Sequence, residues 1–181
     1  MRVSFTSVLA VFLALASPTA ARADEINVLR DGPLIGAAFR GGETVYNGGS
    51  LGGAWGLEGW LGIKEGGKRA LMGRLALTVH PQSPSVVYEL GVAGRFWSPS
   101  GRTYVEPQLS YVGLEPELDC DGGPCGPSRY SGAAVGLAGG VELHHGRGIG
   151  FDLRASATYL AFASHDDGLL LGIAFAITSY H

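Results

Sequence analysis

The sequence predicts an all-β fold: an eight-stranded antiparallel up-and-down β-barrel that crosses a membrane with its strands. Three observations carry that expectation. Apolar and small residues alternate with a period of two along eight separate segments. Glycine is in excess, at 30 of 181 residues. The less apolar face of each segment is small and not densely charged, which does not suit a face turned to water.

The final segment, 168–181, shows the pattern most clearly. Leu169, Leu171, Ile173, Phe175 and Ile177 share one face, and Gly172, Ala174, Ala176 and Thr178 share the other. Seven earlier segments repeat it. Segment 33–41 sets Ile35, Ala37 and Phe39 against Gly36, Ala38 and Arg40. Segment 51–63 sets Trp55, Leu57, Leu61 and Ile63 against Ala54, Gly56, Glu58 and Trp60. Segment 70–80 sets Leu71, Leu75, Leu77 and Val79 against Arg74, Ala76 and Thr78. Segment 85–97 sets Val86, Tyr88, Leu90, Val92 and Phe96 against Glu89, Gly91, Ala93 and Arg95. Segment 103–113 sets Val105, Leu109 and Tyr111 against Glu106, Gln108 and Ser110, and Pro107 within it predicts a local bulge. Segment 130–144 sets Val135, Leu137, Val141 and Leu143 against Gly132, Ala134, Gly136, Ala138, Gly140 and Glu142. Segment 149–161 sets Phe151, Leu153, Ala155, Ala157 and Tyr159 against Asp152, Arg154, Ser156 and Thr158. Segments of this length, tilted, are long enough to cross a bilayer.

The connections alternate. Those at 64–69, 98–102 and 145–148 are tight and polar, whereas the longest runs over 114–129. An even strand number with short turns on one side puts both termini on the periplasmic side.

The amino terminus carries an export signal. Arg2 precedes an apolar run over 8–16, Pro18 breaks it, and Ala21-Arg22-Ala23 forms a small-x-small cleavage site. The expectation is a signal peptide over 1–23, a barrel over 24–181, and a short periplasmic lead-in over 24–32. Cleavage removes Arg2 and Arg22 and leaves the chain more acidic than the −3 of the whole sequence. That balance argues against nucleic acid as a partner. Beyond residue 23 no run of 18 apolar residues remains for a transmembrane helix.

A soluble barrel would turn its apolar face inward, and a membrane barrel does the reverse. The small faces carry isolated charges of both signs: Glu58, Arg74, Glu89, Arg95, Glu106, Glu142, Asp152 and Arg154. The narrow interior of eight strands has room for small residues and a few long ones, provided such charges pair. The apolar faces have essentially no charge. Aromatics gather near strand ends: Tyr88, Tyr111, Tyr130, Tyr159 and Phe162 at one, Phe96, Trp97, Tyr104, Phe151 and Tyr180 at the other. Two such girdles are expected at membrane interfaces.

With signal peptide, eight segments, girdles and a closing amphipathic strand in place, the chain resembles the small outer-membrane barrels of the OmpA/OmpX type. The resemblance implies residence in the cell outer membrane, contact with its lipid, and insertion by the barrel-assembly machinery. Its C-terminal assembly signal is matched by Gly172, Phe175, Ile177 and Tyr180, although His181 ends the chain where the family usually ends in Phe.

Several motifs suggest chemistry and have plainer readings. Cys120 and Cys125 bracket Asp-Gly-Gly-Pro in the longest loop; a disulfide is favoured over metal binding, which needs further ligands. Loop 114–129 is the candidate contact for an extracellular ligand. The stretch from Gly62 to Arg69 nearly spells a phosphate-binding loop, but Arg69 stands where Ser or Thr is needed and no helix follows. Ser164, His165, Asp166 and Asp167 crowd one short loop, which is poor geometry for a triad. His144 and His145 end the sixth segment beside a turn. Outer-membrane deacylases of lipid A place His and Ser two residues apart on a late strand, and residues 153–160 contain no His. The expectation is a structural or surface-interaction barrel without catalysis, metal or cofactor. The alternatives are a lipid A-modifying enzyme, a narrow pore, and a soluble periplasmic barrel.

Overall fold

The structure, a computed structural model, describes residues 31–46, 49–82, 85–116, 130–146, 148–163 and 167–181. The signal segment lies outside them. So do most of the 114–129 loop with Cys120 and Cys125, and residues 164–166.

Eight strands close into one antiparallel barrel in sequence order. They are β1 (Gly32–Tyr46), β2 (Gly49–Glu65), β3 (Arg69–His80), β4 (Ser85–Trp97), β5 (Thr103–Pro116), β6 (Tyr130–Gly146), β7 (Ile149–Phe162) and β8 (Gly168–Tyr180). The seam pairs β1 with β8 from Leu34↔Tyr180 to Tyr46↔Gly168, so no edge is left open. β4 has the bounds read from the sequence. β1 is longer by five residues at its C-terminal end and starts at Gly32, inside the stretch assigned to the lead-in. β5 takes in Leu114, Glu115 and Pro116 from the long loop.

Local chemistry sets these limits. Gly66 and Gly67 both adopt positive φ, at 62° and 65°, and reverse the chain directly after Glu65. This lets β2 run through Lys64. Close approach explains Gly42: a Cβ there would run into the carbonyl oxygen of Leu171 across the seam. Pro107 supplies no amide hydrogen, and β4–β5 pairing lapses between Ala93↔Gln108 and Phe96↔Val105. Pairing then resumes in the same register, so Pro107 interrupts the ladder without the expected bulge. The register shifts fall at Thr44/Val45 and Glu142/His144 instead.

The two faces separate sharply. Leu71, Ile63 and Leu61 point outward at 68%, 66% and 65% exposure, and every strand adds apolar side chains to the same outer surface. A continuous apolar exterior on this scale belongs against hydrocarbon, not water. Inside, Ala38, Ala76, Ala134, Ala138 and Ala176 are buried to 5% or less, which makes room for longer neighbours.

The girdle expectation needs correction. Phe96, Phe151, Tyr88, Tyr111 and Tyr159 lie outside or partly so. Trp97, Tyr104, Tyr180 and Phe162 are buried in the interior at 3–7% exposure, and Tyr130 packs against an interior cluster. Adjacent residues of a strand point to opposite sides, so Phe96 and Trp97 cannot share an outer belt.

Candidate functional site: a closed interior ladder of charges

The inward side chains form three layers. At the end that carries the chain termini, Leu34, Trp60, Met72, Trp97, Tyr104 and Tyr180 pack together. At the opposite, loop end, Val87, Val112, Leu114, Leu160, Phe162 and Leu170 form a second apolar layer, with Tyr46 and Tyr130 against it. Between them lies a belt of charge.

That belt alternates in sign along its whole length. Arg40 Nη2 donates to Glu89 Oε1 at 2.6 Å, and to Thr78 Oγ1. The other oxygen of Glu89 accepts from Arg74 Nη1 at 2.9 Å. Arg74 Nε reaches Glu58 Oε1 at 3.3 Å, and Arg154 Nη2 reaches the other Glu58 oxygen at 2.6 Å. Arg154 Nη1 donates to Glu106 Oε1 at 3.1 Å, and Arg95 Nε to Glu106 Oε2 at 2.8 Å. The far end is Asp152, 3.8 Å from Arg95 Nη1 and accepting the Tyr104 hydroxyl. Glu58, Glu89 and Glu106 thus each bridge two arginines, one on each oxygen. Gln108 and Ser110 add bonds to Glu106 and Arg74 at 2.9 and 3.2 Å.

Burial makes these contacts consequential. All eight ladder residues are 6% exposed or less. A lone buried charge is costly, and a buried pair recovers that cost only when its hydrogen bonds are well made. Four arginines and four carboxylates leave the ladder neutral. Beside Arg40, a small void lined by Gly42, Ala54, Thr78, Ser156 and Gly172 has room for about one water.

Of the charges named from sequence, Glu58, Arg74, Glu89, Arg95, Glu106, Asp152 and Arg154 join the ladder. Glu142 stands apart, where its Oε1 accepts from Trp97 Nε1 at 2.9 Å and the Tyr180 hydroxyl at 3.0 Å. Three interior residues were not singled out. Arg40 already shares a face with Gly36 and Ala38, so parity alone places it inside. Lys64 falls where the sequence predicts a turn over 64–69, and the structure puts it in β2. His80 ends β3, with Nε2 2.7 Å from Thr44 Oγ1. That His–hydroxyl pair has the composition of a nucleophile and its base, but both residues are fully buried and out of substrate's reach.

The other motifs stay dispersed. Phe175 and Ile177 face outward, whereas Gly172 and Tyr180 face inward, so the four residues of the assembly signal do not share a face. Residues 66–68 form a turn between two strands, not a phosphate loop. Asp167 accepts a hydrogen bond from the Tyr159 hydroxyl. Among the described residues no group of three or more His, Cys, Asp or Glu is placed to hold a metal ion.

Comparison with known proteins places the fold. No protein-family model matches the chain, and no curated protein matches it in sequence. Solved structures do match. Neisserial surface protein A superposes with a TM-score of 0.71 at 13% identity, over 83% of this chain and 97% of that one. Ail, the attachment invasion locus protein of Yersinia pestis, was solved in complex with the heparin analogue sucrose octasulfate. It superposes with a TM-score of 0.61 at 13% identity, over 81% of this chain and 99% of that one. The N-terminal β-barrel domain of Pseudomonas aeruginosa OprF gives 0.51 at 12%, over 82% and 99%. The chain therefore shares the closed eight-stranded antiparallel barrel fold of these small outer-membrane proteins. At these identities the likeness is one of fold.

Proposed function

We propose that the protein is a resident outer-membrane barrel with a structural or surface-interaction role, and that it neither conducts ions nor performs catalysis. One observation carries this reading: the lumen is filled by the neutral Arg–carboxylate ladder, with an apolar layer above and below it. An ion crossing the lumen would have to displace the paired charges of the ladder. Planar-bilayer recording of the refolded protein tests this. The expected outcome is no stable conductance, and reproducible single-channel steps would restore the narrow pore.

In this reading the terminal end faces the periplasm, and contacts are made at the loop end. The loop over 114–129 carries Glu115, Glu117, Asp119 and Asp121 against Arg129. That charge fits a cationic partner and disfavours a sulfated polyanion. A Cys120–Cys125 disulfide would stiffen the loop, and a two-hydrogen mass gain on reduction tests it. Amino-terminal sequencing of exported protein tests cleavage before Asp24. Insertion by the barrel-assembly machinery is part of the same proposal.

The lipid A-modifying alternative gains no support from the sealed His80–Thr44 pair. Mass spectrometry of lipid A with and without the protein distinguishes the two, and an altered acylation pattern would overturn the non-enzymatic reading.

A further inference from the structure

Among the described residues, Lys64 is an interior cation outside the ladder. Lys64 is 1% exposed, and its Nζ has no hydrogen-bond partner among the described residues. It lies 4.3 Å from the ring centre of Trp97 and 5.0 Å from that of Tyr180. Aromatic faces attract a cation but leave its three N–H groups without a strong acceptor.

The donor surplus continues on the same ring. The Arg95 guanidinium carbon lies 5.7 Å from the Trp97 centre. Its Nε is taken by Glu106, yet among the described residues neither Nη1 nor Nη2 has a hydrogen-bond acceptor. The 3.8 Å separation from Asp152 is an ion pair too long to be a hydrogen bond. Trp60, whose ring centre is 5.5 Å from that guanidinium, likewise leaves its Nε1 without an acceptor. Of the nearby carboxylates, Glu142 Oε1 accepts from Trp97 and Tyr180, and Asp152 Oδ1 from Tyr104. Buried charged donors without acceptors are costly, so an acceptor from outside the chain is favoured here.

We infer that the terminal end of the barrel binds a small anion, chloride or a carboxylate of acetate size, held by Lys64 and Arg95 beside Trp97. The position permits access. Lys64 is the penultimate residue of β2, Trp97 the last of β4 and Tyr180 the last of β8, so the site lies just inside the terminal rim. Chloride and acetate offer the same chemistry, full acceptor capacity with one negative charge.

The test uses the whole barrel, refolded in phosphocholine micelles. Sodium chloride and sodium acetate are titrated separately at constant ionic strength, balanced with the salt of a bulky sulfonate. Tryptophan emission is read, since Trp60 and Trp97 are two of the three tryptophans. The expected result is a saturable change with at least one of the two anions, weakened tenfold or more in Lys64→Met and largely kept in Lys64→Arg. A flat or linear response in the wild type overturns the inference, and so does saturation that Lys64→Met leaves unchanged. If Lys64→Met does not fold, Lys64→Gln removes the same charge, and saturation that it leaves unchanged overturns the inference.

Discussion

Glu58 offers the most direct test of the ladder. It is 5% exposed and bridges Arg74 at 3.3 Å and Arg154 at 2.6 Å. Glu58→Gln keeps the size and one acceptor but removes the charge, which leaves four arginines facing three carboxylates. Breaking a buried ion pair by removing one partner costs about 3–5 kcal/mol, because the other charge stays buried without compensation. The expected loss of stability is therefore about 3–5 kcal/mol, which lowers the folded-to-unfolded ratio by a factor of roughly 100 or more at ~1.4 kcal/mol per decade. Urea unfolding in lipid vesicles, followed by tryptophan emission, measures it. The double variant Glu58→Gln/Arg154→Met restores neutrality and should recover a large part of the loss, with a coupling energy of about 1–3 kcal/mol in the mutant cycle. A Glu58→Gln protein within about 0.5 kcal/mol of wild type would refute the reasoning, because it would mean that water, not the arginines, carries that charge.

Three other outcomes follow from the geometry. Gly42→Val places a side chain against the Leu171 carbonyl at the seam and should abolish the compact, heat-modifiable form on a denaturing gel. Leu57 points outward at 59% exposure near the middle of β2, so Leu57→Arg should cost about 2–4 kcal/mol in vesicles, measured by the same urea titration. Deleting Tyr180 and His181 should impair barrel formation. Tyr180→Phe, which loses the hydroxyl bond to Glu142, should fold with a cost of about 1–2 kcal/mol, and normal folding of the deletion would count against a C-terminal assembly signal.

The sequence carries the sidedness of the strands well, and the reason is physical. With a strict period of two, each strand's bulky residues fix its small face, and Glu58, Arg74, Glu89 and Arg154 fall on that face by parity. Strand ends are harder. Lys64 and His80 sit where alternation gives way to turn residues, so a strand residue and a turn residue look alike there. The aromatic girdles misled for a related reason. Tryptophan and tyrosine suit an interface, but they also suit an interior that offers acceptors, as Glu142 does for Trp97 and Tyr180. Which arginine meets which carboxylate was beyond reach. Arg154 and Glu58 are 96 residues apart and meet only through closure of the whole barrel.

The ladder also constrains how such a chain can enter a bilayer. Its members come from β1, β2, β3, β4, β5 and β7, and its central link joins β7 to β2 across the lumen. A sheet inserted one hairpin at a time would hold Arg40, Glu58 and Arg74 in hydrocarbon before Arg154 had been delivered to them. The half-inserted sheet is thus a high-energy species, and the favoured route joins membrane crossing and ring closure into one step. Insertion and folding of this barrel should share a single kinetic phase.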